Sequence, residues 1–248
     1  MRNLLAGEWA KAWTGRGWLI LAGCGVLMSL LGALGYASQG AAAIEEGTMG
    51  RAAVTDDIVR SWFMMSLFTS LFGAIFVSRE YTSGAIGRSV LMSGGSRTRL
   101  LAAKVLTATA VGALAALLTA ALSLASAWGT LAANGAEPAW HGETWLILLG
   151  VFAVNTLAAP WGALIGWIVR HQVGAVVTVV ALTLVVDPAV QVLVPEAGRY
   201  LMTIAQSSVY RDTKPELLST PLALLVIAGW LAAAGLLARK LFTARDVV

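Results

Sequence analysis

Charge is scarce in this sequence. Lysine, arginine, aspartate and glutamate together make up 12% of its 248 residues, about half their share in soluble globular proteins, and the mean hydropathy is +0.78. So little charge cannot clothe a water-facing surface, which excludes an ordinary soluble domain. Cysteine occurs once, as Cys24 inside an apolar run, so no disulfide forms within the chain. Histidine occurs twice; His141 and His171 lie far apart, and no Cys/His spacing supports zinc. The phosphate loop G-x-x-x-x-G-K followed by Ser or Thr is missing, so the chain does not bind ATP in that manner. G-x-S-x-G and H-E-x-x-H are missing too. Ionisable residues inside the apolar runs are few, whereas proton-coupled carriers and ion pumps usually need them as relays.

Apolar length takes the place of all this. Hydrophobic residues make up 58% of the chain. Six stretches, at about 18–37, 61–78, 105–128, 144–169, 173–194 and 220–238, approach or exceed the ~20 helical residues that cross a ~30 Å hydrocarbon core. They fill the sequence, so the expected fold is an all-α polytopic membrane protein, one transmembrane domain over residues 1–248. A cleavable signal peptide is not expected, because the first hydrophobic region is too long and follows an amphipathic, Trp-rich segment.

Basic residues set the expected orientation. Arg2, Lys11, Arg16, Arg79, Arg88, Arg97, Arg99, Lys104, Arg170, Arg239, Lys240 and Arg245 all fall on one side, 12 of the 17 in the chain. The positive-inside rule makes that side, and both termini, cytoplasmic. The isoelectric point near 9.6 follows from that rule and does not indicate nucleic-acid binding. Before the first span, Leu5, Trp9, Ala12 and Trp13 share a helical face while Glu8, Lys11 and Arg16 lie elsewhere. That pattern predicts a helix lying in the interface, its charges in water. Residues 38–60, with Glu45, Glu46, Asp56 and Asp57, read as a solvated external connection. Residues 195–219 carry enough aliphatic and aromatic side chains to predict one or two short external helices at the membrane surface.

Within the spans, small residues recur four apart at Ala108, Gly112, Ala116 and Ala120, and again at Gly162 and Gly166, a spacing that permits close helix approach. Asn155 is placed for a helix–helix hydrogen bond, and Pro160 marks a kink. Asp187 precedes Pro188, which loosens the helix. It marks either the mouth of a substrate pathway or the point where a helix breaks at the interface, and both readings stay open.

Between the second and third spans runs Glu80-Tyr81-Thr82-Ser83-Gly84, then Arg88, then Ser93-Gly94-Gly95-Ser96-Arg97 and Lys104. Gly84 can redirect the helix that ends there, residues 85–92 form a short amphipathic helix, Gly94-Gly95 turns the chain, and Ser96 is an N-cap. A charged hairpin obeying the positive-inside rule accounts for the arginines alone. A short helix displayed for docking accounts for the glycines as well.

This string resembles the permease family of the type-2 ABC exporters, which carries an acidic-aromatic pair, a Gly, a short helix and a small-residue turn with Arg and Lys after its second span. The motif covers about 26 residues; the layout covers the whole chain. Ala85 stands where the family often has Thr. The resemblance implies an N-terminal interfacial helix, a cytoplasmic coupling helix between spans 2 and 3, and a semi-helical external segment between spans 5 and 6. It implies coupling residues at Glu80, Tyr81, Gly84, Arg88 and Arg97, and a substrate pathway in which Asn155 and Asp187 are candidates. It also implies a non-catalytic chain in a bacterial plasma membrane, binding two copies of a separate ATPase that holds the ATP and magnesium, and pairing with an identical or related permease. An apolar interior suits a hydrophobic or amphipathic cargo such as an antibiotic, peptide or lipid. A secondary carrier half and a lipid-acting membrane enzyme are the alternatives. Few buried charges and the lack of an inverted repeat count against the first, and the lack of clustered acids, histidines or nucleophiles counts against the second.

Overall fold

Apolar surroundings favour helix, because a helix satisfies its backbone polar groups within its own segment. The computed structural model describes residues 1–214 and 216–244; Arg245, counted above on the basic side, lies outside them. Among the described residues there is no strand, and the fold is 84% helical. The order is α1 (Arg2–Ala12), α2 (Gly17–Glu45), α3 (Arg51–Arg60), α4 (Met65–Thr82), α5 (Ile86–Met92), α6 (Arg97–Ala133), α7 (Gly142–Val169), α8 (Gln172–Ala181), α9 (Asp187–Leu193), α10 (Pro195–Gly198), α11 (Met202–Val209) and α12 (Thr220–Ala244). A 3-10 turn, Ser61–Met64, joins α3 to α4, and a π turn, Leu182–Val186, joins α8 to α9. The rods Gly17–Glu45, Arg51–Thr82, Arg97–Ala133, Gly142–Val169, Gln172–Leu193 and Thr220–Ala244 are each long and apolar enough to cross a membrane. This is the architecture of a multi-pass membrane protein.

The rods outrun the apolar runs that reveal them. Residues 38–60, expected as a solvated connection, are mostly helix, and α3 buries Val54, Thr55, Asp56, Ile58 and Val59. Partners, two of them from the start of α7 and the segment before it, make this possible. The Thr144 hydroxyl donates to Asp56 Oδ1 at 2.6 Å, Asp57 pairs with Arg60 one turn on, and the Ala139 N–H donates to Thr55 Oγ1 at 3.0 Å. Acidic composition marks solvent only where no partner answers it.

The centre of the bundle is the α4–α7 pair. A Cβ added to Gly162 would lie 1.7 Å from the Ser70 carbonyl oxygen, and one on Gly73 would lie 2.0 Å from the Ala159 oxygen. Only glycine lets two backbones meet so closely. α6 joins through Gly112, where a Cβ would stand 2.8 Å from that of Ala159. In the apolar windows of the α3–α4 rod and of α7, 61% of residues are buried, against 17% in α2 and 22% in α12. The outer rods therefore turn most of their apolar surface away from the chain, toward lipid or other subunits.

Pro188 does not break its rod. Proline lacks an N–H and crowds the carbonyl four residues back, and the wider π turn just before it absorbs the misfit, so helix resumes to Leu193. Beyond it, α10 and α11 are the two short helices of 195–219. α11 packs against α12 and α9 and also against α7, where a Cβ on Gly150 would lie 2.2 Å from the Val209 oxygen. Tyr210 stacks on Phe63 at 4.7 Å, and Trp230 Nε1 donates to the Tyr200 carbonyl at 2.8 Å.

Candidate functional site

Glycines shape the segment between α4 and α6. α4 stops at Thr82 and Gly84 takes φ +65°, turning the chain into α5. Gly94 and Gly95, at φ +71° and +75°, end α5; their N–H groups return to the Leu91 and Val90 carbonyls at 3.0 and 3.1 Å. A side chain at any of these three positions would meet the left-handed penalty. Ser96 then caps α6, its hydroxyl accepting from the Arg99 N–H at 3.4 Å. α5 turns Ile86 and Ser89 inward and Arg88, Leu91 and Met92 outward, with Leu91 77% and Met92 76% exposed.

Beneath α5 four charges are gathered. Lys104 Nζ, with no solvent exposure, lies 2.7 Å from Glu8 Oε2 and 2.8 Å from Glu80 Oε1. Lys11 Nζ meets Glu8 Oε1 at 2.8 Å and Glu80 Oε1 at 3.1 Å, and donates to Ser89 Oγ at 3.0 Å. The Phe76 ring lies 4.4 Å from Lys104 Nζ, within cation–π reach. Two cations and two anions sum to zero, which is what makes their burial tolerable, since an unmatched buried ion costs several kcal/mol. Burial works to lower the Lys11 pKa, but hydrogen bonds and attraction from Glu8 and Glu80 outweigh it, so the ammonium titrates above its ordinary 10.5. The quartet ties α1, α4, α5 and α6 together, and Arg79 adds a second tie by donating to the Lys11 and Thr14 carbonyls at the end of α1, at 2.5 and 3.4 Å.

Tyr81, beside Glu80, points into a different cluster. Its ring meets Trp167 edge-on at 5.8 Å, and Arg170 sits 5.4 Å over it. Trp167 lies 4.4 Å from Phe242. Arg97 donates to the Phe242 and Thr243 carbonyls at 2.9 and 3.2 Å, and Arg170 donates to the Leu241 carbonyl at 2.6 Å. These carbonyls lie in the last described turn of α12, so the two guanidinium groups fasten the 79–104 segment and the α7–α8 turn to that rod. Residues 79–104 are thus held on one flank by charges and on the other by rings and guanidinium groups.

The remaining candidates lie elsewhere. Asn155 is fully buried in α7; its Nδ2 donates to the Val151 carbonyl at 2.9 Å and the Trp62 carbonyl at 3.4 Å, while its Oδ1 has no partner. Asp187 is buried, and its Oδ2 accepts from the Thr203 N–H at 2.9 Å. That N–H is in the first turn of α11, so the carboxylate caps α11 from a neighbouring rod. Among the described residues no three His, Cys, Asp or Glu side chains converge as a metal site.

No family model and no curated protein matches this chain. The structure brings Glu80 together with Glu8, Lys11 and Lys104, and Tyr81 together with Arg170 and Trp167, while Arg88 stands outward and Asn155 and Asp187 are remote. Glu8 is the residue that sequence reasoning misplaced. It faces protein where water was expected, because a helical wheel shows which residues share a face but not what that face meets. The available signal was Lys104, a lone cation flanked by Leu100, Leu101, Val105 and Leu106 that needed an anion from some other element.

Proposed function

We propose that this chain is the transmembrane subunit of an ATP-driven exporter of the type-2 ABC kind, with α5 as the coupling helix on the cytoplasmic side. One observation carries the reading: α5 presents Arg88, Leu91 and Met92 outward while its inner face rests on the quartet. Two large apolar side chains beside a cation, held on a seven-residue helix between two rods, make a compact protrusion suited to a cleft on a soluble partner. α1 then lies in the membrane interface with both termini in the cytoplasm, and α10–α11 form the external segment before the last span. Two permease chains and two ATPases make the transporter, and the cargo is hydrophobic or amphipathic. ATP closes the ATPases and moves α5, which shifts the permease pair only if ATP binds its two states with different affinity. Glu80 and Tyr81 act through the packing beneath α5 rather than by touching the ATPase.

A photocrosslinker at Leu91 or Met92 should capture an ABC ATPase encoded with this chain, and the same probe at His171 should not. Capture from His171 alone would sink the assignment. With Cys24 removed, Glu46→Cys and Glu137→Cys should react with an impermeant thiol reagent in intact cells and Arg97→Cys should not; external labelling of the latter would reverse the orientation.

A further inference from the structure

Along the same end of the bundle, three cavities share walls. The first, about 150 Å³, is almost wholly apolar and lies among α2, α4 and α6, walled by Trp18, Leu21, Phe68, Phe72 and Leu118. The second, about 230 Å³, shares Trp18, Leu21 and Phe72 with it and reaches Thr14 and Arg79. The third, about 440 Å³, shares Thr14 and Arg79 and runs on to Lys11, Glu80, Arg88 and Ser89 under α5, with Lys11 and Glu80 already matched inside the quartet. The shared lining residues set the three cavities end to end along one flank, apolar at one end and basic at the other.

Charge at the basic end is unbalanced. Lys11 is matched within the neutral quartet, but among the described residues neither Arg79 nor Arg88 pairs with a carboxylate. The backbone carbonyls that Arg79 contacts satisfy its donors without cancelling its charge. Two net cations therefore sit where the groove opens, and the apolar stretch is flanked by outward-facing Leu114 and Leu118, so a hydrocarbon chain can enter it sideways. We propose that the groove binds one anionic phospholipid of the surrounding leaflet, with an acyl chain among α2, α4 and α6 and the phosphate at Arg79 and Arg88. A soluble anion has no use for the apolar part, and a neutral chain has no use for the arginines. Basic pockets at the ends of membrane helices recognise lipid headgroups by this chemistry. The lipid reading needs no ATPase; it takes Arg88 for the groove and leaves Leu91 and Met92 as the outward surface of α5.

Native mass spectrometry of the purified protein in detergent, titrated with phosphatidylglycerol and with phosphatidylcholine of equal chain length, tests it. Phosphatidylglycerol should bind about tenfold more tightly. Arg88→Ala, on an exposed side chain away from the quartet, should cost phosphatidylglycerol about fivefold and phosphatidylcholine, whose phosphate is already offset by its own ammonium, less than about twofold. Ala22→Phe, which fills the apolar stretch, should weaken both lipids. Equal affinities for the two lipids, or an Arg88→Ala protein that still prefers phosphatidylglycerol tenfold, would overturn the proposal. So would displacement of phosphatidylglycerol by inorganic phosphate at similar concentration, which would leave the acyl chain without a role. If light scattering shows that Ala22→Phe alters the oligomeric state while lipid binding is unchanged, a second copy covers the groove and the lipid assignment falls.

Discussion

At the end of the bundle that carries α1 and α5, four charged side chains, of which only Lys11 is part-exposed, share partners with one another, whereas at the far end the buried carboxylates Asp187 and Asp56 sit in two separate groups. Glu8, Lys11, Glu80 and Lys104 share atoms: Glu80 Oε1 serves both lysines, and Glu8 gives one oxygen to each. Asp187 meets a single backbone N–H, and Asp56 forms a separate small group with Thr144 and His141 Nε2, the last at 3.5 Å, in which Thr144 and His141 Nδ1 also meet at 2.8 Å. Groups that share partners lose them together, while separate bonds fail one at a time. The first end should therefore behave as a unit, held or released, and the far end as a sum of small terms. That is a useful division for a machine whose moving part is proposed to lie at the first end.

The largest test of this contrast is Lys104→Met. Removing the fully buried cation leaves Glu8 and Glu80 facing each other with only half-exposed Lys11 between them, and breaking a buried pair in this way costs about 3–5 kcal/mol. Thermal unfolding of the detergent-purified protein should show a clear loss. Adding Glu8→Gln should recover part of it, and simple additivity of the two changes would show that the residues do not form one unit.

Asp187→Ala comes next. Loss of a cap on α11 should cost about 1–2 kcal/mol and loosen the 202–209 segment in hydrogen exchange, with the quartet unaffected. A loss as large as that of Lys104→Met would erase the distinction between the two ends.

The mildest perturbation is alkali. The folded-state pKa of Lys11 is raised above 10.5, so its contribution is fully present below that value and is lost as pH rises through the folded-state pKa. Protection of α1 from limited proteolysis should hold up to about pH 10.5 and fall above it. Lys11→Met should show no such fall; an identical alkaline decline in that variant would assign the effect to another group.

Much of this contrast could not be read from the chain alone. The six rods were legible because about 20 apolar residues in a row have few alternatives to a membrane helix, and the glycines at 84, 94 and 95 announced the turns around α5 correctly. The Gly162-x-x-x-Gly166 spacing was visible too, but nothing in it said that its partner would be α4 of the same chain. Rod ends were misjudged where charge was taken to mean solvent, as at Asp56, whose partner Thr144 lies 88 residues away. Glu8 was misplaced for the same reason. A buried ion pair is a relation between distant residues, and local periodicity cannot report it.

The order of synthesis gives the quartet one more consequence. Glu8 leaves the ribosome 96 residues ahead of Lys104, a gap of about 5–20 s at ordinary rates of chain growth. Through that interval α2 and α4 are made in turn, but the cation that completes the set does not yet exist. On the interfacial placement proposed for α1, the young helix waits at the membrane surface, where Trp9, Trp13 and Trp18, packed edge to face at 5.3 and 5.1 Å in the finished protein, would give it an aromatic hold at headgroup depth. Only when the start of α6 emerges can Glu8 be buried. Closure of this end is thus a late step in biogenesis, and it records that the third span has arrived.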